Sequence, residues 1–157
     1  MIVVADTSPL NYLVLIGEIE LLPALYLKVL IPQEVHRELQ QPGTPPTVRA
    51  WASSLPTWCE VRSITSVPDA ALEELDPGER DPIQLALDSG IDTLLIDESE
   101  GRREALRRHL LVTGTVAVLE KAAQRGMINF GATLNRLEQT NFRLSAKVRN
   151  EFIKRNL

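Results

Sequence analysis

The sequence predicts an α/β domain built on a mostly parallel β-sheet. Two observations carry this. Short apolar runs alternate with helical segments along the whole chain. Two of those runs, IVVAD and TLLID, are continuously apolar, as strands buried on both faces should be, and both end in aspartate.

The elements follow in order. MIVVA (1–5) reads as the first strand. PLNYLVLIG (9–17) reads as a helix with Pro9 at its first position and Gly17 at its end. EIELLPAL (18–25) suggests a second short helix, and LKVLI (27–31) the second strand. PQEVHRELQQ (32–41) is a helix opened by Pro32, and TVRAWASSL (47–55) is helical. CEVRSI (59–64) is the third strand. Helices follow around DAALEEL and within PGERDPIQLALDSG, the latter stopped by Gly90. DTLLID (92–97) is the fourth strand, GRREALRRHL a helix, and LLVTG (110–114) the fifth strand. TVAVLEKAAQRG (115–126) is a helix closed by Gly126, and the chain from about residue 130 is helical.

Bulk properties narrow the class. A chain of 157 residues, 44% hydrophobic and 24% charged, makes one domain with a core of its own. A single cysteine, Cys59, rules out an internal disulfide framework and suits a buried thiol. The start of the sequence lacks the basic and apolar regions of a secretory signal, and no apolar stretch approaches bilayer length. A soluble cytoplasmic protein is expected. The net charge of −4 counts against a general nucleic-acid binder. It is compatible with an enzyme that gathers its acids in one site and keeps its bases elsewhere. The bases are uneven, with GRREALRRH (101–109) and RLSAKVRNEFIKR (143–155) holding many of them.

The two strand-end aspartates, Asp6 and Asp97, carry the chemistry. Both belong at the carboxyl edge of a parallel sheet, where open α/β sheets bind ligands. If the first and fourth strands are neighbours, the carboxylates converge. Close carboxylates disfavour each other's ionisation unless positive charge lies between them. Mg²⁺ or Mn²⁺ resolves the repulsion with oxygen ligands. Two histidines and one cysteine make a zinc site of nitrogen and sulfur improbable. Glu38 flanks the apolar stripe of the helix after the second strand, with Glu34 one turn earlier. Asp81 and Glu79 lie in PGERDPIQLAL. Asp6, Glu38, Asp81 and Asp97 make a four-carboxylate pocket suited to metal-assisted phosphodiester hydrolysis. Plainer readings stand beside this one. Asp6 or Ser8 caps the helix at Pro9, Asp81 is an N-cap before Pro82, Asp97 is a loop residue, and Glu38 is a solvated helix residue.

In order, VVADTSPLNYL, IPQEVHREL, GERDPIQLALDSG, TLLIDESEGRREAL and VTGTVAVLEKAAQRGMI resemble a PIN domain. More narrowly they resemble the VapC-like PIN proteins, over nearly the whole chain to about residue 145. The resemblance implies a three-layer α/β/α fold with a five-stranded parallel sheet in the order 3-2-1-4-5, as a single domain over 1–157. It implies an Mg²⁺- or Mn²⁺-dependent ribonuclease that acts on RNA, the toxin of a toxin–antitoxin pair with an antitoxin partner, and a homodimer. The family's acids fall on Asp6, Glu38, Asp81 and Asp97. Thr7 and Ser8 occupy the hydroxyl positions beside the first acid. One departure concerns the third acid, because Pro82 stands where the subgroup has alanine. DPGE (76–79) also reads as a capping box with Pro77 at the first helical position. Either Asp81 caps a later helix, or Glu79 and Asp81 share the role. Arg102 and Arg103 suit phosphate contacts or, alternatively, a solvated helix face paired with Glu100 or Glu104. The aliphatic run PLNYLVLIGEIELLPAL supplies either a dimer surface or a helical hairpin buried within the monomer.

Other readings lack their residues. A phospho-receiver needs an acidic pair after the first strand and a lysine after the fifth, and VVAD and VTGT carry neither. A dehalogenase-type phosphatase needs an aspartate where Ser8 stands. There is no phosphate-binding glycine loop. An inactive PIN-like module that binds RNA or protein is the remaining alternative.

Overall fold

The computed structural model describes residues 1–156. The elements are β1 (Ile2–Ala5), α1 (Thr7–Leu15), α2 (Leu21–Leu25), β2 (Lys28–Pro32), α3 (Gln33–Glu38), α4 (Pro46–Ser53) and β3 (Cys59–Arg62). They continue as α5 (Ala70–Glu73), α6 (Pro77–Ser89), β4 (Thr93–Leu95), α7 (Ser99–Arg107) and β5 (Leu111–Thr113). The chain ends in α8 (Thr115–Gln124), α9 (Phe130–Glu138) and α10 (Ala146–Arg155). The strands form one parallel sheet in the order β3-β2-β1-β4-β5. β1 is central, with Val3 opposite Val29 of β2 and Val4 opposite Leu94 of β4.

The apolar runs divide by parity, because successive strand residues face opposite sides of a sheet. Val3, Ala5, Val29, Ile31 and Leu95 pack with residues of α1, α4, α8 and α9. Val4, Leu30, Leu94 and Ile96 pack with Leu72, Ile83, Leu85 and Ala105 from α5, α6 and α7. This makes the three-layer α/β/α arrangement. β1 and β4 are neighbours, so their carboxyl ends lie side by side and the condition for Asp6 and Asp97 to converge is met. Part of the aliphatic run after β1 is absorbed within the chain: Leu10, Leu13, Ile16, Leu21 and Leu22 are buried, and Val14, Leu15, Ile19 and Leu25 pack against them half-exposed. No helix of the described residues is long and apolar enough to cross a membrane.

Four local expectations are corrected. α1 starts at Thr7, not Pro9, because Asp6 is its N-cap and accepts from the Thr7 N–H over 2.7 Å. Pro9 is tolerated there because the first helical N–H groups have no partner inside the helix. Ser8 is not a cap; its hydroxyl points elsewhere. α6 is one helix from Pro77 to Ser89 and runs through Pro82, so Asp81 does not cap a later helix. The Asp76 side chain makes no capping hydrogen bond at its start. Proline at 82 has no N–H for the Gly78 carbonyl, so the helix forgoes one hydrogen bond in its second turn.

Candidate active site

The carboxyl edge of β1 and β4 opens into a cleft of about 590 Å³. Asp6, Thr7, Glu38, Glu79 and Glu98 line it, so its wall is dominated by carboxylates. Asp6 sits one residue past β1, where the strand leaves the core, and is 6% exposed. Burial pushes its carboxyl up to about 8, the Thr7 N–H bond pulls it down, and the charges of Glu38, Asp97 and Glu79 push it up again. Glu38 ends α3. Burial also raises its carboxyl, followed by the charge of Glu34. Its Oε2 accepts from the Thr7 hydroxyl over 3.3 Å. Its Oε1 is buried and has no hydrogen-bond partner among the described residues.

Asp97 lies two residues past β4 and is held on three sides. Its Oδ1 accepts from the Thr115 N–H over 2.7 Å. Its Oδ2 accepts from the hydroxyls of Ser8 (2.7 Å) and Thr115 (2.6 Å). Residue 114 has to be small for this. A Cβ on Gly114 would stand 2.9 Å from Asp97 Oδ1 and 3.0 Å from an Arg102 nitrogen. Gly78 plays the same part on the far wall, where a Cβ would fall 2.1 Å from Glu38 Oε1. The first turn of α6 therefore rests directly on the Glu38 carboxylate.

The structure separates the two acids that the sequence left competing. Glu79 lines the cleft, and burial raises its carboxyl with help from the charges of Glu98, Asp76 and Glu100. Asp81 is outside the lining and pairs with Arg80 over 3.3 Å, although its charge still raises Glu38. Oxygens of Glu79, Glu98 and Glu100 lie within 4.8 Å of one another. Sequence reasoning missed Glu98 and Glu100, although DESE directly after the fourth strand was the available signal. Glu98 also caps α7, accepting from the Glu100 and Gly101 N–H groups over 2.9 and 2.7 Å. Thr115 was missed too, because no local pattern ties it to residue 97. Arg102 and Arg103 lie beyond Asp97 in an adjoining groove, and neither pairs with a carboxylate among the described residues. Arg102 instead donates to the Ile96 carbonyl over 3.1 Å.

This donor set fits a hard divalent cation. Every candidate ligand is a carboxylate oxygen, and Glu38 Oε1 is a buried acceptor without a donor among the described residues. Burial is the first cause of the upward shifts of Asp6, Glu38 and Glu79 and neighbouring carboxylates add to it, so a cation in the cleft would offset the repulsion among them. Cys59 takes no part. It is buried in β3, far along the sheet from β4, and burial pushes its thiol up to about 12.

A family model described as PIN domain matches residues 2–156. No curated protein matches the chain.

Proposed function

Since this chain belongs to the PIN-domain family, a nuclease fold, we propose that it is an Mg²⁺- or Mn²⁺-dependent endoribonuclease that hydrolyses RNA phosphodiester bonds. The observation that carries the reading is the crowding of carboxylates at the carboxyl edge of the sheet, where burial and then neighbouring carboxylates raise the carboxyls of buried Asp6 and half-buried Glu38 and Glu79 beside Asp97. Its VapC-like motifs support the further reading that it is the toxin of a type II toxin–antitoxin pair, acting as a cytoplasmic homodimer held in check by an antitoxin protein.

In this reading Asp6, Glu38 and Asp97 hold the cation, with Glu79 or Asp81 as the fourth acid. A bound Mg²⁺ or Mn²⁺ makes hydroxide available near neutral pH and offsets charge on the phosphate. The protein's own groups prepare that work. Thr7 serves two acids at once, its N–H holding Asp6 and its hydroxyl meeting Glu38. Ser8 and Thr115 hold Asp97 so that its remaining lone-pair capacity faces one direction. No side-chain nucleophile is needed.

The test is cleavage of a mixed RNA substrate with Mg²⁺ or Mn²⁺ by wild type, Asp6→Asn and Asp97→Asn, each first shown to be folded. Metal-dependent cleavage by wild type alone supports the reading. Wild type that neither cleaves nor binds the cation overturns it and leaves a binding module. Equal activity in all three proteins overturns the assigned site.

A further inference from the structure

A second groove, of about 1020 Å³, runs away from the acid cleft between α7, the start of α8 and the segment leading into α10. The two adjoin, with Ser8, Tyr12 and Glu98 common to both walls. The join is built. The Tyr12 hydroxyl donates to Asn141 Oδ1 over 2.9 Å, and its ring meets Phe142 edge-on at 4.9 Å.

Asp97 and Glu98 line the end of the groove that adjoins the cleft, and beyond them its charged residues are basic. Arg102, Arg103 and Arg143 line it, and none has a carboxylate within ion-pair distance among the described residues. Most arginines of this chain are neutralised: Arg37, Arg62, Arg80, Arg107, Arg108, Arg136, Arg149 and Arg155 each have an acidic partner. Between the free arginines the wall is apolar. Leu106 is 55% exposed there, and Phe142 is half-buried.

We propose that this groove is a strand-holding subsite for single-stranded RNA on one side of the hydrolysed bond. Arg103 and Arg143 take its phosphates, and Phe142 takes an unstacked base. The proposal rests on the ribonuclease reading and adds to it which face of this chain holds the substrate and through which residues. The argument is charge and shape together. A polyanion is repelled by the acid cleft and drawn by the free arginines that continue it. An apolar wall with an aromatic ring can meet only a base that is out of a duplex, since paired bases keep their faces stacked. Arg102 is a wall residue more than a free contact, because it is spent on the Ile96 carbonyl.

Binding is measured without divalent metal, in EDTA, by fluorescence anisotropy of a labelled single-stranded RNA of about 12 nucleotides, the same RNA as a duplex, and a range of salt. Arg103 and Arg143 are exposed, so Arg103→Glu/Arg143→Glu keeps the fold. It is expected to bind about tenfold or more weakly and to lose about 0.7 from the salt slope per contact. Phe142→Leu is expected to bind about fivefold more weakly with an unchanged salt slope. Arg125→Glu is the charge control; this exposed arginine lies outside the groove and its variant should match wild type to within the effect of one distant charge. Duplex RNA is expected to bind more weakly than the single strand.

The proposal is overturned if wild type fails to bind the single strand. It is also overturned if the groove variants bind as wild type does, or if duplex is preferred. Cleavage by the same proteins with Mg²⁺ separates the two readings. Groove-dependent binding without cleavage removes the nuclease and keeps the subsite. Cleavage with groove-independent binding does the reverse.

Discussion

The Ser8 hydroxyl donates to Asp97 Oδ2 over 2.7 Å across 89 residues of sequence, and ties the first turn of α1 to the tip of β4. The same oxygen accepts from the Thr115 hydroxyl at 2.6 Å. A single carboxylate therefore joins three elements that β-sheet pairing alone would leave adjustable. Ser8→Ala removes one of the three bonds and leaves the other two. Cleavage and apparent Mg²⁺ affinity are expected to fall about tenfold or more, as for other residues that orient a metal ligand. Stability should fall by about 1 kcal/mol. A metal titration of activity beside a thermal melt checks both, and unchanged activity with the expected loss of stability would confine Ser8 to a structural role.

Gly78→Ala separates fold from function on the opposite wall. The new methyl would overlap Glu38 Oε1, which is the free end of a flexible side chain and can swing away. In a helix the change itself gains up to about 1 kcal/mol. Net stability should stay within about 1 kcal/mol of wild type while cleavage falls about tenfold or more, since Glu38 is displaced. Gly78→Ala that retains full activity would mean Glu38 is not a working acid.

Glu79→Gln and Asp81→Asn decide the fourth acid. Glu79 lines the cleft with a raised carboxyl, whereas Asp81 faces Arg80. Glu79→Gln is expected to lower cleavage about 100-fold or more, and Asp81→Asn about tenfold or less through its influence on Glu38. The reverse ranking, measured as single-turnover rates at saturating Mg²⁺, would return the role to Asp81.

Asp6 makes the metal-free protein sensitive to pH. Its folded value of about 8 lies above the usual carboxylate value, so between about 4 and 8 the folded state binds more protons than the unfolded one. Stability from this group is fully present below about pH 4 and is lost as pH rises towards 8. Glu38 and Glu79 are shifted the same way. Asp69 and Asp88 are held down at about 2 by hydrogen bonds to Arg108 and Ser66 respectively, so their contribution disappears only in acid. The difference between wild type and Asp6→Asn isolates Asp6. In EDTA the variant should become the more stable of the two as pH rises, by roughly 5 kcal/mol at pH 8. Added Mg²⁺ should stabilise wild type and not the variant. Parallel denaturation curves from pH 5 to 8.5 would show the reverse, that Asp6 is ionised throughout.

The central strands were legible because they are buried on both faces, so IVVA, VLI and LL are short apolar runs with turn residues or polar residues at their ends. The tips were legible for the same reason: Asp6 and Asp97 interrupt such runs where the chain exits. Helix starts were harder. Proline suits any position in a first turn, so Pro9 did not mark the start of α1, and Pro77 and Pro82 offered rival starts for α6. The choice between Glu79 and Asp81 turns on helix rotation, which that ambiguity hides. Thr115, Gly78 and Gly114 act through space on acids far away in the chain, and a single sequence carries no mark of such distances.

The placement of β4 also has a consequence in time. β1 and β2 are close in sequence, whereas β4 joins the free side of β1 only after some 90 residues have been made. Asp97 is then secured by Thr115, still further along. A chain emerging from the ribosome thus carries Asp6 and Glu38 long before it carries a complete acid cleft. If this protein degrades RNA, it stays harmless to the messenger being read until the first three-quarters of its own sequence have left the ribosome and folded.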